Sequence, residues 1–357
     1  MIKSNITQIK IAGISAAVST KWTSLAELAT TEETALVEKF IKKTGVTGRY
    51  NAGLHQTTSD FCYAAAKRLL AEKQINLKDI GVLVFVTQSA DYKIPATACL
   101  LQSRLGLSKD CMAFDVNLGC SGFTYGINIV ASLLKTSNAK KALLLAGDTA
   151  AKERSHKLKT KVSHSAGMLF GDCGTATLLE ISDNCEPIRM ISKTDGEGFK
   201  AIIAPYGWWR NPDAPTPEQF GTSVMDDIAV FNFAVNEAPA LIKDTMALST
   251  FTPNDYDCLV LHQANLFILK QIAKRTGFAM EKTLLSLDKF GNTSSASIPV
   301  SLVNKYGFAD DRKQLHIMSC GFGVGLSWST VDFYINTNDI LPLIQTDDYF
   351  DDGYEIE

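Results

Sequence analysis

Continuous apolar runs alternate along the chain with stretches in which apolar positions recur every three or four residues, the signatures of buried strand and amphipathic helix. Gly81-Val-Leu-Val-Phe-Val-Thr87 and Lys141-Ala-Leu-Leu-Leu-Ala-Gly147 have strand length and no polar alternation, as expected of strands covered on both faces. Ile9 to Ser15 predicts a short first strand. Helices are predicted over Leu25 to Lys43, ended by Gly45, and over Thr57 to Gln74, where Phe61, Ala64, Ala65, Leu69 and Leu70 share one face. Pro95 opens another helix that stops at Gly106. Repeated alternation of this kind predicts an α/β protein with parallel sheet covered by helices.

Within that pattern one stretch stands apart, Met112-Ala-Phe-Asp-Val-Asn-Leu-Gly-Cys-Ser-Gly-Phe-Thr-Tyr-Gly126. Residues 113 to 116 read as a strand, and Ile127, Ile129, Val130, Leu133 and Leu134 as the apolar face of a helix. Cys120 therefore falls at a strand-to-helix turn, with Gly119 and Gly122 permitting a tight backbone around it. The helix that follows directs its free N–H groups and positive dipole end toward the thiol. Such a position favours thiolate, the nucleophilic form, which an unshifted cysteine with a pKa of about 8.5 shows only sparsely at neutral pH.

The second half repeats the first. At one constant offset, Gly119-Cys120 falls on Gly291-Asn292 and Lys141-Ala-Leu on Lys313-Gln-Leu, which puts Asn292 at the corresponding turn. Residues 1–183 and 184–336 are thus expected to form two pseudo-symmetric halves, with 337–357 as an acidic tail. In Leu259-Val-Leu-His262-Gln-Ala-Asn265, His262 ends a buried strand just before a helix from Leu266 to Arg275, the edge on which open α/β sheets bind their ligands. Ser319-Cys-Gly-Phe-Gly-Val-Gly325 reads as a glycine-rich loop between two strands, whose backbone N–H groups are candidates for holding an oxyanion.

Composition narrows the function classes. The 357 residues are 46% hydrophobic, enough for large cores, and the net charge of −3 gives no field that selects nucleic acid or membrane as partner. Met1 to Thr20 lacks an apolar core of signal-peptide length, so a cytoplasmic protein is expected. The eight cysteines include no Cys-x-x-Cys pair, which argues against zinc, and a reducing compartment argues against disulfides.

The ordered set of Cys120 in Asp-Val-Asn-Leu-Gly-Cys-Ser-Gly-Phe, His262 in His-Gln-Ala-Asn, Asn292 in Gly-Asn-Thr-Ser-Ser-Ala-Ser-Ile-Pro and the closing Gly-Phe-Gly-Val-Gly-Leu-Ser-Trp resembles ketoacyl-ACP synthase III of the thiolase superfamily, over roughly residues 5 to 335. The resemblance implies a five-layered αβαβα fold and a homodimer. It implies an acyl transfer from acyl-CoA to Cys120, then a decarboxylative Claisen condensation with malonyl on acyl carrier protein. Cys120, His262 and Asn292 are then catalytic. The backbone amides of Cys120 and Val324 form the oxyanion hole. CoA and carrier thioesters serve as substrates, and no metal or separate cofactor is expected.

Departures from the family pattern fall at the rim. Phe40 stands for a tryptophan that stacks on the CoA adenine and Lys43 for an arginine, so a bidentate phosphate grip is lost. A basic carrier-docking position is Phe267, although Lys274 and Arg275 follow it. Ile94 matches the position that caps the acyl pocket of the partner subunit, and Phe322 lies in the glycine-rich segment as a further substrate contact. The segment from Ala151 to His164 is basic, with Lys152, Arg154, Lys157, Lys159 and Lys161, a candidate grip for a phosphate or an acidic carrier. Trp208 and Trp209 are candidates for roofing the substrate tunnel. From Thr346 to Glu357 six acidic residues meet no basic one, which predicts a mobile, solvated tail. Two other functions fit the same motifs: an acyltransferase that passes the acyl group to an amine or hydroxyl, and a noncatalytic partner subunit.

Overall fold

The structure, a computed structural model, describes residues 1–151 and 165–354. Strands β1 (Ile2–Ile6) and β2 (Ile9–Val18) open the chain. Helices α1 (Thr34–Thr44) and α2 (Thr58–Glu72), strand β3 (Ile80–Val86), helix α3 (Thr97–Arg104), strand β4 (Met112–Val116) and helix α4 (Gly122–Thr136) follow, then strands β5 (Lys141–Asp148) and β6 (Cys173–Ile181). The second half runs through strand β7 (Ile188–Thr194), helix α5 (Asp227–Met246), strand β8 (Cys258–Leu261), helices α6 (Leu266–Thr276) and α7 (Ser297–Tyr306), and strands β9 (Gln314–Gly323) and β10 (Ser327–Asn336).

Two sheets carry the fold, ordered β2-β6-β5-β3-β4 and β1-β7-β10-β9-β8. In the first, β3 pairs parallel with β5, which pairs antiparallel with β6, which pairs antiparallel with β2. The second repeats this: β8 runs parallel to β9, which pairs antiparallel with β10, which pairs antiparallel with β7. A parallel bridge from Leu259 to Thr283 even marks the place that β4 holds beside β3. One strand breaks the division by sequence, since β1 from the extreme N-terminus lies in the second sheet, against β7.

Strand alternation sorts the side chains into layers. Val82, Val84 and Val86 of β3, with Val260 of β8, point to a central core that holds α4 (Phe123, Ile127, Val130, Leu134) and α7 (Ile298, Val300, Leu302, Val303) between the sheets. Leu83 and Phe85 point the other way, onto α2 and α3. Leu259 and Leu261 face outward onto α5 and α6. The result is the five-layered αβαβα arrangement. Both central helices begin beside the same sheet edges, so Cys120 and Asn292, which precede them, are brought to one place.

Three predicted elements differ. The helix expected over Leu25 to Lys43 is a single turn, Leu25–Leu28, followed by α1. The chain turns between them: the Thr30 N–H and hydroxyl both donate to the Glu33 carboxylate at 3.1 and 3.0 Å, the Glu33 N–H donates back to the Thr30 carbonyl at 3.0 Å, and α1 starts only after that turn. The glycine-rich loop is mostly strand: β9 runs through Gly323, and only residues 324–326 turn back into β10.

The tail is not free. Ile344 and Gln345 add a short parallel strand beside β2, Thr20 donates to Asp347, and the Gln56 amide donates to the carbonyls of Thr346 and Asp348. The Arg104 guanidinium lies over the Phe350 ring at 4.6 Å and over the Tyr63 ring at 4.5 Å, and Tyr92 donates to Asp352. Composition suggested solvation, but the aromatic residues between the acids give the tail surfaces to dock. Phe350→Ala is expected to cost about 1 kcal/mol, the worth of a partly desolvated cation–π contact. A shift in the urea midpoint measures it; a freely solvated tail would leave the midpoint unchanged.

Candidate active site

Strand β4 ends at Val116, and the chain turns through Gly119, whose carbonyl accepts from the Gly122 N–H at 2.6 Å, into α4. A Cβ on Gly122 would come within 2.4 Å of Val86, so the start of α4 seats on β3 only as glycine. The end of β9 presses in from the other half. A Cβ on Gly323 would meet the Cβ and sulfur of Cys120 at 2.5 and 2.8 Å, so a bare backbone is what lets this strand reach the thiol. The next N–H, of Val324, hydrogen-bonds to the Cys120 sulfur. Ser327 pins the turn by donating to the Val324 carbonyl at 2.8 Å, while its hydroxyl meets that of Ser121 at 2.7 Å.

His262 leaves β8 with its N–H donated to Cys320 of β9 at 2.9 Å, and Phe322 packs edge-on against the imidazole, ring centres 5.5 Å apart. Its neighbours in His-Gln-Ala-Asn hold other parts. The buried Gln263 ties β8 to the loop toward Asn292 through Leu284 and Ser286, and Asn265 caps α6 by accepting from the Ile268 N–H. Asn292 itself is held by backbone bonds to Leu169 and Gly171 across the halves, at 2.8 and 3.1 Å.

Ser294 touches all three. Its N–H donates to Asn292 Oδ1 at 2.9 Å, which fixes the orientation of that carboxamide. Its carbonyl accepts from Ser297 Oγ at 2.7 Å, and that oxygen lies 2.8 Å from His262 Nδ1. Its hydroxyl faces both the Cys120 sulfur and the Asp148 carboxylate. Ser294 reaches these partners with a backbone φ of +50°, a left-handed conformation uncommon for a residue with a side chain.

Behind it sits Asp148, fully enclosed at the end of β5. Oδ1 accepts from the Gln88 N–H and the Thr87 and Ser89 hydroxyls at 2.7, 3.1 and 3.2 Å, and Oδ2 from the Ser295 hydroxyl at 3.0 Å. Burial raises its pKa above the usual carboxylate range. Burial acts on the two reactive groups as well. The Cys120 thiol is pushed up to about 11, chiefly by desolvation, against the lowering effect of the Val324 N–H, with the Asp148 charge adding to the rise. His262 is pushed down to about 4, again by desolvation, opposed by the Ser294 carbonyl. Cys120 and His262 are therefore a neutral pair at rest, and the thiolate expected from the helix terminus does not persist, because removal from water outweighs the dipole.

Comparison with known proteins fits this geometry. Residues 114–196 match the family model for 3-oxoacyl-[acyl-carrier-protein (ACP)] synthase III and residues 246–334 the model for its C-terminal part. The chain is 31% identical over 289 residues to a β-ketoacyl-[acyl-carrier-protein] synthase III of Neisseria gonorrhoeae, covering 81% of this chain and 88% of the relative. The chain belongs to the 3-oxoacyl-ACP synthase III family. A crystal structure of a 3-oxoacyl-(acyl-carrier protein) synthase from Burkholderia xenovorans superposes with a TM-score of 0.88 at 31% identity, over 97% of this chain and 99% of that one. Another, a 3-oxoacyl-(acyl carrier protein) synthase III from Pseudomonas aeruginosa, gives 0.79 at 28% identity over 95% and 100%. This member of the synthase III family is thus a thiolase-fold acyltransferase of the condensing type.

The rim of this synthase III site is less uniform. Phe40 is only 9% exposed: with Val37 it forms the stripe that packs α1 into the core around α6, so its face is not offered to a ligand, while Lys43 is exposed. Phe267, 49% exposed, stacks on Phe231 at 5.5 Å. Lys274 is exposed, but Arg275 is engaged within the fold, donating to the Val235 carbonyl and Asn236 and tying α6 to α5. Ile94 is 85% exposed, and beside it Lys93 lies over Trp208 and Trp209 at 5.2 and 5.8 Å. The basic residues between 152 and 161 lie outside the described residues.

Reading the sequence alone missed Asp148, Ser294 and Ser297. An acid ending the apolar run 141–147 was a usable signal; the serines sit in a polar stretch that reads equally well as a helix cap. The rate of Cys120 alkylation by iodoacetamide is expected to climb about tenfold per pH unit from 7 to 9, with no plateau near 8.5. Asp148→Asn removes a nearby like charge and is expected to move that profile to lower pH. A plateau near 8.5 would contradict the burial-raised thiol.

Proposed function

We propose that Cys120 accepts an acyl group from acyl-CoA and that the acyl-enzyme then condenses with malonyl on acyl carrier protein, releasing CO2 and a 3-oxoacyl thioester. The observation that carries this reading is Ser294, one residue bonded to the carboxamide and, through Ser297, to the imidazole, with its hydroxyl facing the thiol. In the first stage the sulfur of Cys120 attacks the thioester carbonyl, and the N–H groups of Val324 and Cys120 hold the oxyanion. The CoA thiol leaves and acyl-Cys120 remains. In the second stage the malonyl C–C bond to carboxylate breaks and charge builds on the malonyl thioester oxygen. The fixed NH2 of Asn292 and an imidazole N–H stabilise that charge without adding a carboxylate that would repel the substrate.

Both stages need only thioester substrates and these side chains, so the reading calls for no resident cofactor. A homodimer belongs to the same reading. β4 is the open edge of its sheet, with half-exposed Ala113, Phe114 and Val116, an edge suited to pairing with a second copy. No helix among the described residues is long and apolar enough to cross a membrane.

Intact-mass analysis after exposure to a panel of acyl-CoAs is expected to add one acyl group to wild type and none to Cys120→Ala. Asn292→Ala is expected to acylate normally but to release CO2 from malonyl carrier about a hundredfold more slowly, the usual cost of one oxyanion donor. Acylation without any CO2 from malonyl carrier would instead assign transfer to an amine or hydroxyl acceptor, and no acylation at all would leave a noncatalytic subunit.

A further inference from the structure

The Ser297 hydroxyl has one hydrogen and two partners, the Ser294 carbonyl at 2.7 Å and His262 Nδ1 at 2.8 Å. A carbonyl only accepts, so the arrangement that satisfies both contacts sends the serine hydrogen to Ser294 and leaves Ser297 Oγ to accept from Nδ1–H. The hydroxyl is buried and its surroundings are fixed: Ser294 is anchored to Asn292, and the Ser301 hydroxyl bonds to the Ser297 carbonyl at 2.7 Å. Little freedom remains for it to swing round and donate to the ring.

We propose that Ser297 is a positioning residue that holds His262 in the Nδ1–H tautomer, so that Nε2 presents a lone pair to the Cys120 thiol. Which ring nitrogen carries the proton is set by the hydrogen bond at the other. The inference rests on the condensing reading above only for what the proton does next. When the sulfur bonds to the acyl carbon, its proton passes to Nε2 and on to the departing CoA sulfur, which leaves as the thiol. In the second stage Nε2 takes up a proton from water as negative charge builds on the malonyl thioester: Nδ1–H stays on Ser297, and Nε2–H becomes the donor that faces the developing enolate. After condensation the C–S bond to Cys120 breaks, and the departing sulfur takes the proton back from Nε2. One proton from water is consumed for each CO2 released, and His262 ends neutral in its starting tautomer.

Long-range proton–nitrogen NMR on enzyme labelled with 15N-histidine tests this directly in the resting protein. Wild type is expected to show His262 with a protonated Nδ1 and a bare Nε2 at pH 7. Ser297→Ala is expected to lose that preference and to acylate at least about tenfold more slowly, while Ser297→Thr, which keeps the hydroxyl, stays close to wild type in both. A wild-type spectrum with the proton on Nε2 overturns the proposal, as does a folded Ser297→Ala whose tautomer and acylation rate are unchanged. Should Ser297→Ala fail to fold, the wild-type spectrum and Ser297→Thr decide the question. A failure of the condensing reading would appear separately, as absent CO2 release with the tautomer intact.

Discussion

The left-handed turn at Ser294 is the constraint on which the reaction centre depends. A single residue there offers its amide to a carboxamide and its carbonyl to a serine that meets an imidazole, while its hydroxyl faces a thiol and a buried carboxylate. Such a conformation costs of order 1 to 3 kcal/mol and persists only where its surroundings insist on it. Here they do: Asp148 gathers donors from the 87–89 loop and from Ser295 immediately after the turn, and Asn292, two residues before it, is bonded across the halves. The buried acid, which takes no part in bond making, is what joins the nucleophile's half to the turn.

The double architecture makes this convergence possible. Two sheets of matching pairing order enclose two central helices, and the turn before each helix opens at the same side. The groups proposed as catalytic thus come from equivalent places in two copies of one plan, a thiol from the first and a carboxamide from the second. The imidazole is added from the end of β8, and the backbone of Gly323 and Val324 completes the wall at the sulfur. Enclosure has an electrostatic consequence. Desolvation disfavours the charged form of both the thiol and the imidazole.

Much of this was legible in the sequence because each of Cys120, His262 and Asn292 lies at a junction between an apolar run and a helical face, and periodicity locates junctions well. The layers followed for the same reason. What escaped depends on solvation and on short polar side chains. A helix terminus beside a cysteine is visible in the letters, whereas the desolvation of the thiol is not, and desolvation prevailed. Phe40 lies on a helix where an exposed aromatic was expected, yet its spacing from Val37 turns it inward. Thr30 and Glu33 could have been read as a side-chain-bonded turn within the long helical stretch. The acidic tail had the composition of a solvated segment, and the interleaved Tyr349 and Phe350, which lie on His55 and Arg104, decided otherwise.

A crystal structure of the enzyme trapped with an acyl group on residue 120 addresses the assembly of the centre most directly. The acyl carbonyl oxygen is expected within about 3 Å of the backbone nitrogens of Cys120 and Val324, with His262 Nε2 and Asn292 Nδ2 both facing the open side of the thioester. An acyl oxygen turned away from those amides, or an imidazole or carboxamide facing elsewhere, would contradict the convergence that Ser294 is held to enforce.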